Sequence, residues 1–193
     1  CLSLHLVNKT CPFNVCFKMS RSNKCLVLGE QGVGKTSFIC SYIYGFCSAK
    51  HQLKKTPRNY KYTIPYPPPS HSLEIVEDSQ VTHRDFSSVV LLYDPLVPAT
   101  FEYALKLHKQ AKLRAKFKFG CMLVACCKDK LDLEHHRSAA RKLGVRFMTV
   151  NCKNRNSVKR CFSMCLAWTR KNLLWETRKP LLFCRNSLRL NLI

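Results

Sequence analysis

At 193 residues and 46% hydrophobic content, the chain is long enough to bury the core of one domain with ordinary extensions. Its 33 Lys and Arg against 11 Asp and Glu give a formal net charge of +22, which points to an anionic partner or a strongly solvated basic surface. No window approaches the roughly 18 apolar residues of a membrane span, so this chain is not expected to cross a bilayer by itself.

Residues 1 to 22 lack a hydrophobic period and read as a poorly ordered lead-in. The opening CLSLHLVNKTCPFNVCF is too broken by polar residues for a signal-peptide core, and a start at Cys1 in place of Met is what a fragment would show. Asn8-Lys9-Thr10 matches a glycosylation acceptor, a triplet without meaning in a cytosolic chain. The thirteen cysteines are an odd number, and no short spacing forms a C-x-x-C pair, so free thiols are expected, with no structural metal held by cysteines.

From Lys24 to Phe38 the sequence KCLVLGEQGVGKTSF reads as a strand, a glycine loop and the start of a helix carrying Phe38, Ile39 and Tyr42. This is the phosphate-binding P-loop in its required setting. Glycines let successive backbone N–H groups converge on a phosphate, and the following helix points its positive end at the same place. The candidate cradle is Gly29, Glu30, Gln31, Gly32, Val33, Gly34, Lys35, Thr36 and Ser37. Within it Lys35 would reach the β- and γ-phosphates and the Thr36 hydroxyl would ligate Mg²⁺. The four fixed positions arise by chance in roughly one chain of this length in a hundred.

The helix should end near Gly45, ahead of a basic loop from Phe46 to Asn59. Tyr60 to Tyr66 and Ser72 to Glu77 read as two strands joined across Pro67-Pro68-Pro69. Asp78, at the end of the second strand and one strand away from the P-loop strand, is the candidate carboxylate for Mg²⁺. Ser88 to Tyr93 is a continuous apolar run, as in a central parallel strand, and Asp94-Pro95 ends it. An amphipathic helix is expected from Ala99 to about Ala115, with Phe101, Leu105, His108 and Ala111 on one face.

Cys121 to Cys127 forms the next buried strand, Glu134 to Leu143 a short helix, Val145 to Val150 a strand, and a last helix starts near Asn156. Cys25, Cys40, Cys126 and Cys165 fall at positions expected to be buried. Strands and helices alternating at these lengths predict an α/β P-loop NTPase fold, a doubly wound, mainly parallel sheet with helices on both faces. The P-loop, Asp78, the Lys130–Asp132 segment and Asn151–Lys153 then meet beyond the carboxyl ends of the strands.

This order of motifs resembles the Ras-like small GTPases over residues 23 to 171, leaving 172 to 193 as a basic tail. The resemblance implies that Asp129-Lys130-Leu131-Asp132 stands for the family's guanine-reading Asn/Thr-Lys-x-Asp, with Asp129 where Asn is usual. Asn151-Cys152-Lys153 stands for its Ser-Ala-Lys. It implies GTP and GDP as ligands with Mg²⁺, and effector or adaptor proteins as partners. The switch threonine, a further Mg²⁺ ligand, is either Thr56, by its distance from the P-loop, or Thr63, by local match. The family's Asp-x-x-Gly-Gln becomes Asp78-Ser79-Gln80-Val81-Thr82, so binding should be better kept than turnover.

Within the family, Tyr62-Thr63-Ile64, Leu91-Leu92-Tyr93-Asp94-Pro95, Thr100-Phe101-Glu102-Tyr103-Ala104 and Phe147 to Cys152 are similar to the C-terminal GTPase domain of the mitochondrial Rho GTPases, Miro. That likeness implies a cytoplasmic protein at the cytosolic face of the mitochondrial outer membrane. A slow GTPase switch is therefore the leading expectation. A pseudo-GTPase interaction module is the alternative, and a basic nucleic-acid-binding P-loop protein ranks last, since no aromatic-studded basic motif is present.

Overall fold

A computed structural model describes residues 24–45, 58–64, 71–116, 118–127 and 131–177. The expected lead-in, the basic loop before residue 58 and the tail beyond residue 177 lie outside these. Among the described residues β1 (Lys24–Gly29), β4 (Ser88–Tyr93) and β5 (Gly120–Cys126) are the continuous apolar runs seen in the sequence. Such runs suit strands covered on both faces, and these three pair in parallel at the centre of the sheet.

β2 (Arg58–Ile64) and β3 (His71–Asp78) pair antiparallel, with Arg58 opposite Glu77 and Ile64 opposite His71. Of the strand expected from Tyr60 to Tyr66, residues 60–64 lie in β2, and 65 and 66 fall outside the described residues. With β6 (Arg146–Val150) the order is β2-β3-β1-β4-β5-β6, and every pairing except β2 with β3 is parallel. The predicted α/β architecture, a mainly parallel sheet between helices, is the one observed.

Strand alternation divides the core in two. Cys25, Val27, Leu73 and Ile75 face α1 (Lys35–Ile43) and α4 (Arg155–Thr177), where Phe162 stacks on Phe38 at 5.0 Å and on Tyr42 at 4.0 Å. Leu26, Leu28, Leu91 and Tyr93 face α2 (Pro98–Arg114) and α3 (Glu134–Leu143). Burying a side chain such as Phe38 or Phe162 contributes about 2–3 kcal/mol, so this double cover supplies most of the force that fixes the loops at the strand ends.

α2 starts at Pro98, whose missing N–H costs nothing in the first turn. Its buried stripe is Phe101, Ala104, Leu107, His108 and Ala111, with Leu107 rather than Leu105 reaching the centre. α4 continues through Thr177, past the Lys171 expected as the end of the domain.

Segment 79–87 joins β3 to β4 without a helix, yet it is not loose. Val81 and Phe86 are buried in the α2-side core, Tyr103 Oη donates to the Ser79 carbonyl at 2.8 Å, and an Arg114 N–H donates to the Val81 carbonyl. The Lys116 amide donates to Arg84 at 3.0 Å and the Ser87 amide to Lys24 at 2.9 Å.

Candidate nucleotide site

The loop between β1 and α1 is built from the bottom by close packing. A Cβ on Gly29 would lie 2.3 Å from the Leu92 carbonyl oxygen, so only glycine lets β1 end against β4 at this point. Val33 is buried and anchors the loop, while Gln31 and Gly32 are exposed above it. Gly34, at φ +91°, turns the chain into α1. Among the described residues no side chain caps that helix, and no acidic residue sits in its first turn, so its amide end is open to an anion. Ser37 is half-buried in the same turn.

Lys35 is buried, and its Nζ donates to the Gly29 carbonyl at 3.0 Å and the Glu30 carbonyl at 2.7 Å. Burial lowers its pKa, and the carboxylates of Glu77, Asp78 and Glu30 oppose that fall. The amine is thus held at the mouth of the loop with three acids within electrostatic reach.

The Thr36 hydroxyl donates to Glu77 Oε1, and Tyr60 Oη donates to Glu77 Oε2 at 2.9 Å. Arg58 Nη1 lies 4.0 Å from the same oxygen. Burial first, and then the Glu77 charge, push the Tyr60 phenol up to about 12, which keeps it a donor.

Asp78, the residue expected to serve Mg²⁺, is turned away from Thr36. Its Oδ1 accepts from the Ser79 amide at 2.7 Å and the Gln80 amide at 3.2 Å, and its Oδ2 from the Thr82 hydroxyl at 2.8 Å. The reason is parity. Leu73 and Ile75 face α1, so Glu77 does too, and Asp78 falls on the opposite face. Sequence reasoning passed over Glu77 and Tyr60, although the alternation of Leu73 and Ile75 carried the signal.

Of the two threonines weighed for the switch role, Thr56 lies outside the described residues. Thr63 is not brought to the site, a correction to its expected role as a ligand. It pairs with Ser72, five residues along β3 from Glu77 or about 17 Å at about 3.3 Å per residue, toward the opposite end of the strand.

At the other side of the loop, Asp129 and Lys130 lie outside the described residues. Asp132 is exposed, and its Oδ1 accepts from the Glu134 amide at 3.1 Å as α3 begins. Asn151 Oδ1 accepts from the Lys153 amide at 2.9 Å, which folds residues 151–153 into a tight turn with Lys153 exposed. Cys152 Sγ lies 4.0 Å from where a Cβ on Gly34 would stand, so this turn abuts the P-loop. Cys25, Cys40 and Cys165 are buried as expected, whereas Cys126 is half-buried because β5 ends there, at the rim of the site.

A glycine loop entering an uncapped helix, with a lysine and a hydroxyl at its mouth and two acids behind, defines a P-loop nucleotide-binding domain. The Ras family model matches residues 24–171, and the chain belongs to that family of small GTP-binding switch proteins. No curated protein matches the chain.

Proposed function

We propose that the chain is a guanine-nucleotide-binding switch domain that holds Mg²⁺ with its nucleotide and hydrolyses GTP slowly. The observation that carries the reading is the Lys35, Thr36 and Glu77 cluster at the mouth of the loop. Thr36 offers a hydroxyl oxygen and Glu77 a carboxylate, the hard donors that Mg²⁺ takes. When bound, the ion neutralises charge between the β- and γ-phosphates. Lys35 would leave its carbonyl partners for phosphate oxygens, and the α1 amide end would meet the same anion. Asp132, Lys130 and Asp129 would read the base, with Asn151–Lys153 beside them.

Turnover is slow in this reading because the positions that place the attacking water in the family are occupied otherwise. Counted from Glu77, the acid that meets Thr36, Gln80 stands for the glycine and is exposed, and Val81 stands for the glutamine and is buried. The second reading, a pseudo-GTPase that serves as an interaction module, draws on the same segment. Tyr103 and Arg114 hold 79–87 to α2, so the part of the chain that follows γ-phosphate in the family has little freedom here.

The GTPase domain in this proposal spans residues 23–171 between the lead-in and the basic tail, and belongs to a Miro-like protein. It works with effector or adaptor proteins at the cytosolic face of the mitochondrial outer membrane, where the surplus positive charge favours an anionic membrane surface. The likeness of residues 91–95 and 100–104 supports that placement, and among the described residues no helix is long and apolar enough to cross a membrane.

The test is titration of fluorescent GTP, GDP and ATP analogues with Mg²⁺ into the protein and into Lys35→Ala. Guanine-selective binding that Lys35→Ala abolishes is the expected result, followed by single-turnover hydrolysis far slower than binding. A folded protein that takes up no nucleotide would overturn the reading in favour of the interaction module.

A further inference from the structure

Cys126 ends β5, and Cys152 stands two residues beyond the end of the neighbouring strand β6. The parallel register sets Cys126 opposite Val150, and the Cys127 amide donates to the Val150 carbonyl at 3.1 Å, so the two chain ends are clamped side by side. Across that clamp the Sγ atoms lie 3.6 Å apart in a thiol–thiol hydrogen bond. Both residues are half-buried, as are Cys121 and Cys127, and lie within reach of a small oxidant, whereas Cys25, Cys40, Cys161 and Cys165 are buried.

We infer that Cys126 and Cys152 are a reversible redox pair that closes to a disulfide at the rim of the nucleotide site under hydrogen peroxide and controls how fast nucleotide leaves. A disulfide needs about 2.05 Å between sulfurs. Closing the bond therefore brings the sulfurs together from 3.6 Å.

The two thiols are not equivalent. The hydrogen bond from Cys126 lowers the Cys152 pKa, while the same bond and burial raise that of Cys126, so Cys152 is the sulfur that reacts first. Its thiolate attacks peroxide, forming an S–O bond and breaking the O–O bond. The departing hydroxide takes up the thiol's proton as water. Cys126 sulfur then attacks the Cys152 sulfenic acid, forming the S–S bond and breaking the S–O bond, and its proton leaves with the oxygen as a second water. Two thiols lose two electrons to one peroxide, and a dithiol reductant reverses the change.

The effect on release rests on the nucleotide reading above. The cross-link ties the exit of β5, which leads into the base-reading segment, to the turn that abuts Gly34. With both segments fixed, the opening that lets nucleotide escape is suppressed.

The experiment treats the folded protein with equimolar hydrogen peroxide and maps peptides by mass, then measures release of a fluorescent GDP analogue from reduced and oxidised protein. The expected result is a peptide joining Cys126 to Cys152, formed ahead of any at the buried cysteines and reversed by dithiothreitol, with release slowed about threefold or more. In Cys126→Ser, with Cys126→Ala as a second variant, peroxide should leave Cys152 as a sulfenic acid trapped by dimedone. Absence of the cross-link in folded protein, or its formation at other cysteines first, overturns the pair. A cross-link that leaves release unchanged overturns the control. Failure of the reduced protein to bind GDP would sink the nucleotide reading alone, and peptide mapping would still decide the pair.

Discussion

Glu77 accepts from Thr36 on the α1 face while Asp78 closes the turn after β3 on the α2 face, so substitutions at these adjacent positions should separate binding from folding. Glu77→Gln keeps the shape and removes the charge. Affinity for nucleotide in Mg²⁺ should fall about tenfold, or about 1.4 kcal/mol, with little change on EDTA treatment and little change in melting temperature. Asp78→Ala instead strips three donors of their acceptor and should cost about 2 kcal/mol of stability in denaturant unfolding. A tenfold loss of Mg²⁺-dependent affinity on Asp78→Ala, with Glu77→Gln inert, would reverse the assignment.

His108 carries a residue-scale pH dependence. It is buried on α2, and burial first, then Lys112, lower its pKa below the ordinary 6.5. Its folded form therefore resists protonation. The stability this neutral imidazole contributes is intact above about pH 6.5 and declines as pH falls from there toward the lowered folded value, because the unfolded chain binds the proton first. Unfolding curves across that window should lose part of their slope in His108→Gln.

At the scale of elements, segment 79–87 shows how a connection without secondary structure is held. Tyr103 near one end of α2 and Arg114 near the other grip its carbonyls, and Val81 fills the core beneath. Tyr103→Phe combined with Arg114→Ala should cost about 2 kcal/mol, from two hydrogen bonds at about 1 kcal/mol each, and should speed amide exchange in residues 79–87 before the sheet. Uniform acceleration through β1 and β4 would show instead that the segment opens only with the whole domain. Gly29→Ala makes the complementary point, since its new Cβ would meet backbone at 2.3 Å. Overpacking of this kind should cost about 3 kcal/mol, read as a lowered denaturation midpoint.

Much at this scale was legible beforehand. The apolar runs of β1, β4 and β5 and the Glu134–Leu143 helix stand where periodicity put them. Leu107 is buried where Leu105 was expected because the two lie on opposite flanks of the α2 stripe, and packing on the sheet decides which flank is covered.

For the whole molecule, 33 basic residues against 11 acidic ones leave a surplus that folding must compress. Self-repulsion of that size is screened by salt, so raising ionic strength from about 0.01 M to about 0.5 M should stabilise the domain by about 1 kcal/mol, or about 2–4 °C in melting temperature. A melting temperature indifferent to salt would mean that the surplus is already neutralised within the fold.

By itself the sequence determined the strand-loop-helix of the P-loop, the alternation that makes a parallel sheet, and membership of a nucleotide-binding class. These rest on local chemistry: glycines at fixed spacing, continuous apolar runs and helical periods each act within a few residues. Only the tertiary structure decided that Glu77 and not Asp78 meets Thr36, that Thr63 stands toward the far end of β2, and that Cys126 reaches Cys152. Those facts depend on strand register and on which face each side chain takes. A shift of one residue inverts the face, so they become fixed only when the strands pair.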